Sequence, residues 1–104
     1  MIGDKWTVMI VLTLVDQPRR FNEIKRINGG ISQQMLSRTL SALERDGMLT
    51  RTVNPTIPPQ VEYALTHLGQ SLAGPINELG AWARSHILEI ERNRLAFDEA
   101  KAKV

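Results

Sequence analysis

The sequence predicts a mainly helical α+β fold with a small β-hairpin and a long C-terminal helix, and three observations carry that expectation. Residues 31–47 read as one helix with an apolar and a polar face. Two short alternating segments flank a proline-rich connection at residues 54–60, and an apolar stripe runs through residues 76–90. A short helix, a glycine turn, a two-faced helix and a hairpin in that order make a winged helix-turn-helix. At 104 residues the chain is expected to be one domain, 1–104, with 66–97 a C-terminal helical dimerisation region and 98–104 a frayed tail.

Lys5 to Val15 is apolar on nearly every side, with Asp4 placed to cap it. Periodicity does not separate a buried helix from a buried strand here, and Val8, Ile10, Val11, Thr13 and Val15 lean toward strand. As a helix it needs cover on two sides. The run is too short for a membrane span, which takes about 20 apolar residues. It is also followed by Asp16-Gln17-Pro18-Arg19-Arg20 where a secretory signal would carry small residues for cleavage.

Pro18 to Phe21 is a short extended piece. Asn22 then starts a small helix, Glu23 to Ile27, with Ile24 and Ile27 on one face and Lys25 and Arg26 exposed. After the flexible turn Asn28-Gly29-Gly30, Ser32 is the N-cap of the central helix and Gly47 its C′ residue. Leu36, Leu40 and Leu43 fall at i, i+4 and i+7 and should be buried. A plain helical hairpin is the competing reading of these two helices.

The other face of the central helix carries Gln34, Arg38, Ser41 and Arg45, with Gln33 and Ser37 on its flanks and no Glu or Lys. Gln bonds adenine bidentately, Arg bonds guanine, and Ser serves base or phosphate, so this face suits a DNA major groove. A solvated face of good helix formers is the bland alternative. Gln33, Gln34, Ser37, Arg38 and Ser41 are the candidate base readers; Arg19, Arg20, Lys25, Ser32, Arg51 and Gln60 are the candidate contacts to the DNA backbone, which orient without specifying sequence.

Leu49 to Val53 and Val61 to Leu65 read as half-buried strands. Three prolines among residues 54–60 stiffen the connection between them, so it projects as a wing along the backbone or minor groove, unless the prolines only protect a sheet edge. Thr66 to Gly69 restarts helix, and Gly74-Pro75 should break or kink it. Beyond lies a terminal helix of about 20 residues with Ile76, Leu79, Ala83, Ile87 and Ile90 in one stripe and Trp82 beside it. Its apolar surface exceeds what one small core can bury. A partner is implied, and a second copy in a closed two-fold dimer is the commonest kind.

Charge agrees with this division. Thirteen Lys and Arg against eleven Asp and Glu give +2 overall, but residues 1–60 carry +3 and residues 61–104 carry −1. The basic half is the half with the Gln/Ser/Arg helix. There is no cysteine, which excludes disulfides, thiolate catalysis and a thiol switch. His67 and His86 lack the partners of a zinc set. Ser71 and Ser85 lie in no nucleophile elbow, Glu89 and Glu91 point to different faces, and Gly29-Gly30 lacks a P-loop lysine. The residues therefore point to no enzyme, cofactor or metal.

The segments IGDKWTVMIVLTL, PRRFNEIKR, GISQQMLSRTLSALERDGMLTR and VNPTIPPQVEYALTHLGQSL, followed by the Trp82 helix, resemble the HxlR-type transcriptional regulators of the MarR-like winged-helix group, in order over about residues 2–90. The resemblance implies a bacterial, cytoplasmic, homodimeric regulator of double-stranded DNA. It also implies a helical first segment, which brings Trp6 and Met9 into the dimer interface with Ile76, Leu79, Trp82, Ala83, Ile87 and Ile90. It leaves room for a small-molecule effector between the first and last helices, although no residue set names a ligand. Members commonly carry a short stretch ahead of the Ile2 position, with a cysteine in the redox-sensing branch. This sequence begins at Met1 without one, so thiol sensing is not carried over and part of the interface is expected to be reduced. The rival from another class is a winged-helix protein–protein interaction module.

Overall fold

A computed structural model describes residues 5–103; the Asp4 cap and the start of the resembling segment lie outside the described residues. The order is α1 (Lys5–Leu14), β1 (Arg19–Arg20), α2 (Phe21–Ile27), α3 (Gln33–Arg45), β2 (Leu49–Asn54), β3 (Gln60–Leu65), α4 (His67–Ser71) and α5 (Ala73–Ala102). The chain divides into two compact units, 1–74 and 75–104. The second is helix alone, and α5 buries only Ala73.

The core of the first unit is built from three helices and the sheet. α1 is a helix despite its β-branched residues, and it buries Thr7, Ile10, Val11 and Leu14 at helical spacing. Burial of that stripe outweighs a propensity deficit of a few tenths of a kcal/mol per β-branched residue. Ile24 of α2, the Leu36, Leu40 and Leu43 stripe of α3, and Leu49 at the start of β2 complete the interior. Ile27 does not share the burial of Ile24 as expected; it is exposed.

α2 begins at Phe21, not after Asn22. Its N-cap is Arg20, whose backbone N–H donates to the Glu23 carboxylate at 3.1 Å. The preceding extended piece is a third strand. The sheet is antiparallel in the order β1-β3-β2, with Arg19 opposite Tyr63 and Arg20 opposite Glu62, where a two-stranded hairpin was expected. The Arg20 and Glu62 pair sets opposite charges across neighbouring strands. β2 pairs with β3 from Leu49↔Leu65 to Asn54↔Gln60. It buries only Leu49, and Val53 is exposed.

Pro75 does not break the last helix. The interruption falls at Leu72, between α4 and α5, and Pro75 is the third residue of α5. The first four N–H groups of a helix have no intrahelical partner, so a residue without one is tolerated there. α5 then runs to Ala102, thirty residues, and the segment expected to fray from Asp98 onward is helical to that point.

Candidate nucleic-acid interface

α3 is defined at both ends by local chemistry. The Ser32 hydroxyl accepts the Met35 N–H at 3.0 Å, which satisfies one of the unpaired donors of the first turn. At the other end Gly47 takes φ +77°, its N–H donates to Glu44 O, and the Met48 N–H donates to Leu43 O at 2.9 Å. This double bond pattern is a Schellman cap, and it needs a residue that adopts positive φ without strain. Thr66 locks the cap from outside: its hydroxyl donates to Gly47 O at 2.6 Å and its N–H to Met48 O at 3.0 Å.

Between these caps the leucine stripe is buried and the polar face is open. Gln33, Gln34, Ser37, Arg38 and Ser41 are all exposed. Among the described residues none of their side chains enters a hydrogen bond or ion pair, so their donors and acceptors are available. At 1.5 Å per residue they span about 12 Å of helix, the rise of three to four base pairs. Met35, 38% exposed, borders this face and was not singled out in the sequence. Its apolar surface is of the kind that meets a thymine methyl. Its signal was a methionine off the leucine stripe.

The candidate backbone contacts fall into two groups. Arg20 and Arg51 are exposed without an ion pair among the described residues, as are Arg26 and Arg45, which sequence reasoning did not name as backbone contacts. Ser32 is exposed at the cap, and Lys25 and Gln60 are half-buried. Arg19 is otherwise engaged. Its Nε donates to Thr13 O at 2.9 Å in the last turn of α1, and a terminal nitrogen lies 3.9 Å from the Glu23 carboxylate. It covers a helix C-terminus with positive charge, which leaves little of it for phosphate.

The wing, residues 55–59 between β2 and β3, closes on itself. The Thr56 N–H donates to Asn54 O and the Thr56 hydroxyl to Pro58 O, each at 2.8 Å, and Ile57 stands fully exposed at the tip. Asn54 and Gln60 face each other at its base.

On α1, Trp6 and Met9 are half-buried. On α5, Ile76 and Ile90 are half-buried, and Leu79, Trp82, Ala83 and Ile87 are exposed. Leu88, Leu95 and Phe97 add further exposed apolar surface to α5. Trp82 stacks on His86 with ring centres 4.5 Å apart. Among the described residues no group of acidic, histidine or cysteine side chains is arranged to hold a metal, and no helix is long and apolar enough to cross a membrane.

Comparison with known proteins gives one consistent answer. YtfH of Escherichia coli K12, an HTH-type transcriptional regulator, is 37% identical over 89 residues, covering 86% of this chain and 71% of that protein. YtcD of Bacillus subtilis 168, of the same description, is 41% identical over 87 residues, covering 84% and 69%. The redox regulator HypR in its reduced form superposes with a TM-score of 0.82 at 37% identity, over 88% of this chain and 90% of that one. The family model described as HxlR-like helix-turn-helix matches residues 1–91, and with these relatives it establishes that the chain belongs to the HxlR-like helix-turn-helix family.

Proposed function

We propose that the protein is a homodimeric transcriptional regulator that binds double-stranded DNA at an inverted-repeat operator. α3 enters the major groove in each half-site, and the wing lies on the backbone or in the minor groove. The observation that carries this reading is the open Gln33, Gln34, Ser37, Arg38 and Ser41 face on a helix capped at both ends. Side chains on such a helix have fixed starting points, and base-edge hydrogen bonds demand that. Arg20, Ser32, Lys25, Arg51 and Gln60 hold the DNA backbone around it. The exposed apolar surface of α5, with Leu79, Trp82 and Ile87, supports dimerisation, and Trp6, Met9, Ile76, Ala83 and Ile90 are assigned to the same interface.

Selection of bound duplexes from a random pool tests this. The expected product is a palindromic consensus with half-sites about 10 base pairs apart, centre to centre. Binding to random duplex should fall steeply with salt through counterion release. Recovery of no consensus, with no binding to any duplex, would refute the reading in favour of a protein–protein module.

A further inference from the structure

Asn28 is 2% exposed, a polar side chain inside the first unit where a flexible turn was expected. It is the residue that closes α2, and its backbone N–H and its Nδ2 both donate to Ile24 O, at 3.0 and 2.9 Å. Nδ2 also donates to the Thr13 hydroxyl on α1 at 3.1 Å, and that hydroxyl in turn donates to Met9 O at 2.8 Å. The Asn28 backbone carbonyl accepts the N–H of Ile31, the buried residue just before the N-cap of α3, at 3.2 Å. The side chain thus joins α1 to the end of α2, and the backbone carbonyl of the same residue holds the approach to α3.

The intervening residues cannot do this. Gly29 and Gly30 have no side chains, and Gly30 sits at φ +97°, where only its own lack of a Cβ makes the backbone comfortable. The turn that sets the departure of α3 from α2 is therefore held by Asn28 on one side and by the burial of Ile31 on the other. Truncating Asn28 would leave no orphan among its partners: Ile24 O keeps the backbone N–H of residue 28, and the Thr13 hydroxyl keeps Met9 O. What disappears is the tether between α1 and the turn.

We infer that Asn28, through its hydrogen bond to Thr13, is a positioning residue for base readout, fixing the turn that aims the Gln33 to Ser41 face of α3. This rests on the DNA-binding reading above. Base-edge hydrogen bonds tolerate only a few tenths of an ångström, whereas attraction to phosphate varies slowly with distance. Loosening the turn should therefore cost sequence preference before it costs general affinity.

The test compares Asn28→Ala, Thr13→Val, their double variant, Thr13→Ser and the core variant Ile24→Val. Each is titrated on the selected operator and on random duplex at a temperature where circular dichroism shows it folded. Asn28→Ala and Thr13→Val should each lower the operator-to-random ratio about tenfold, the double variant no further, because both remove one interaction. Thr13→Ser and Ile24→Val should keep the wild-type ratio. A ratio within about twofold of wild type for Asn28→Ala, with only its melting temperature reduced, would overturn the inference. Amide exchange at Ile31 gives a readout without DNA: it should accelerate in Asn28→Ala and not in Ile24→Val, and equal rates would also overturn it. A wild-type protein that prefers no duplex would defeat the DNA reading itself, and the exchange at Ile31 would then decide whether Asn28 fixes the turn.

Discussion

Gly69→Ala sets two known effects against each other, and the structure says which wins. In α4 an alanine is a better helix former than glycine by about 1 kcal/mol, so local propensity alone predicts a more stable protein. Gly69, however, is buried against the end of α3. A Cβ there would fall well inside contact distance of the Met48 carbonyl oxygen, 3.1 Å from the Met48 carbonyl carbon and 2.9 Å from Leu65 Cδ2. Leu65 can rotate away. Met48 cannot, because its N–H is bonded to Leu43 O and its carbonyl accepts the Thr66 N–H at 3.0 Å, beside the 2.6 Å bond from the Thr66 hydroxyl to Gly47 O. α4 must retreat and weaken both Thr66 bonds. Overpacking of this kind costs about 1–3 kcal/mol and each weakened hydrogen bond about 1 kcal/mol, against the gain of about 1 from propensity. The net is a destabilisation of about 2–4 kcal/mol, which for a unit of this size lowers the melting temperature by about 10–30 °C. Thermal and urea unfolding of the full chain, followed by far-ultraviolet circular dichroism, measures it. An alanine variant melting at or above wild type would refute the argument, since propensity would then have outweighed the close approach.

Four further outcomes are expected. Arg38→Ala should cost about 1–3 kcal/mol on the operator and flatten discrimination at one base pair, while Arg51→Ala should weaken operator and random duplex alike and lower the salt slope by about one; equal losses for Arg38→Ala on every sequence would reduce it to a phosphate contact. Ile87→Glu with Ile90→Glu should give monomers by light scattering and abolish operator binding, and a variant that stays dimeric would move the interface elsewhere. Ser32→Ala should destabilise by about 1 kcal/mol through loss of the bond to the Met35 N–H, read as a lower urea midpoint at unchanged m-value. With no cysteine in the chain, diamide or peroxide at doses that spare methionine should leave DNA binding unchanged, and a thiol-reversible loss in purified protein would contradict this.

The parts of this protein that its sequence determined are those governed by near neighbours in the chain. The Leu36, Leu40 and Leu43 stripe, the Ser32 cap and the Gly47 C′ position all follow from helical spacing and capping chemistry within one element, and each is where it was expected. The strands on either side of the prolines follow from period-two alternation, and the restart of helix at Thr66 from its hydroxyl, which accepts the Gly69 N–H at 3.2 Å. The same locality made the Gln/Ser/Arg face of α3 legible as a candidate interface.

Tertiary structure decided whatever depended on residues distant in sequence. Arg19 and Arg20 become a strand only because Tyr63 and Glu62 are there to pair with them, and Arg19 is drawn from phosphate to the end of α1 by Thr13 O and Glu23. Asn28 reads as a turn residue until Thr13 is brought against it, and Gly69 as an ordinary weak helix former until Met48 is packed above it. The all-round apolar α1 carried no period to choose helix over strand. Pro75 looked like a helix breaker because the start of α5 at Ala73, which makes the missing donor harmless, has no capping signal in the sequence. For Arg19, Arg20, Asn28 and Gly69 the deciding energy is a contact or hydrogen bond between elements, and a pattern within one element does not contain it.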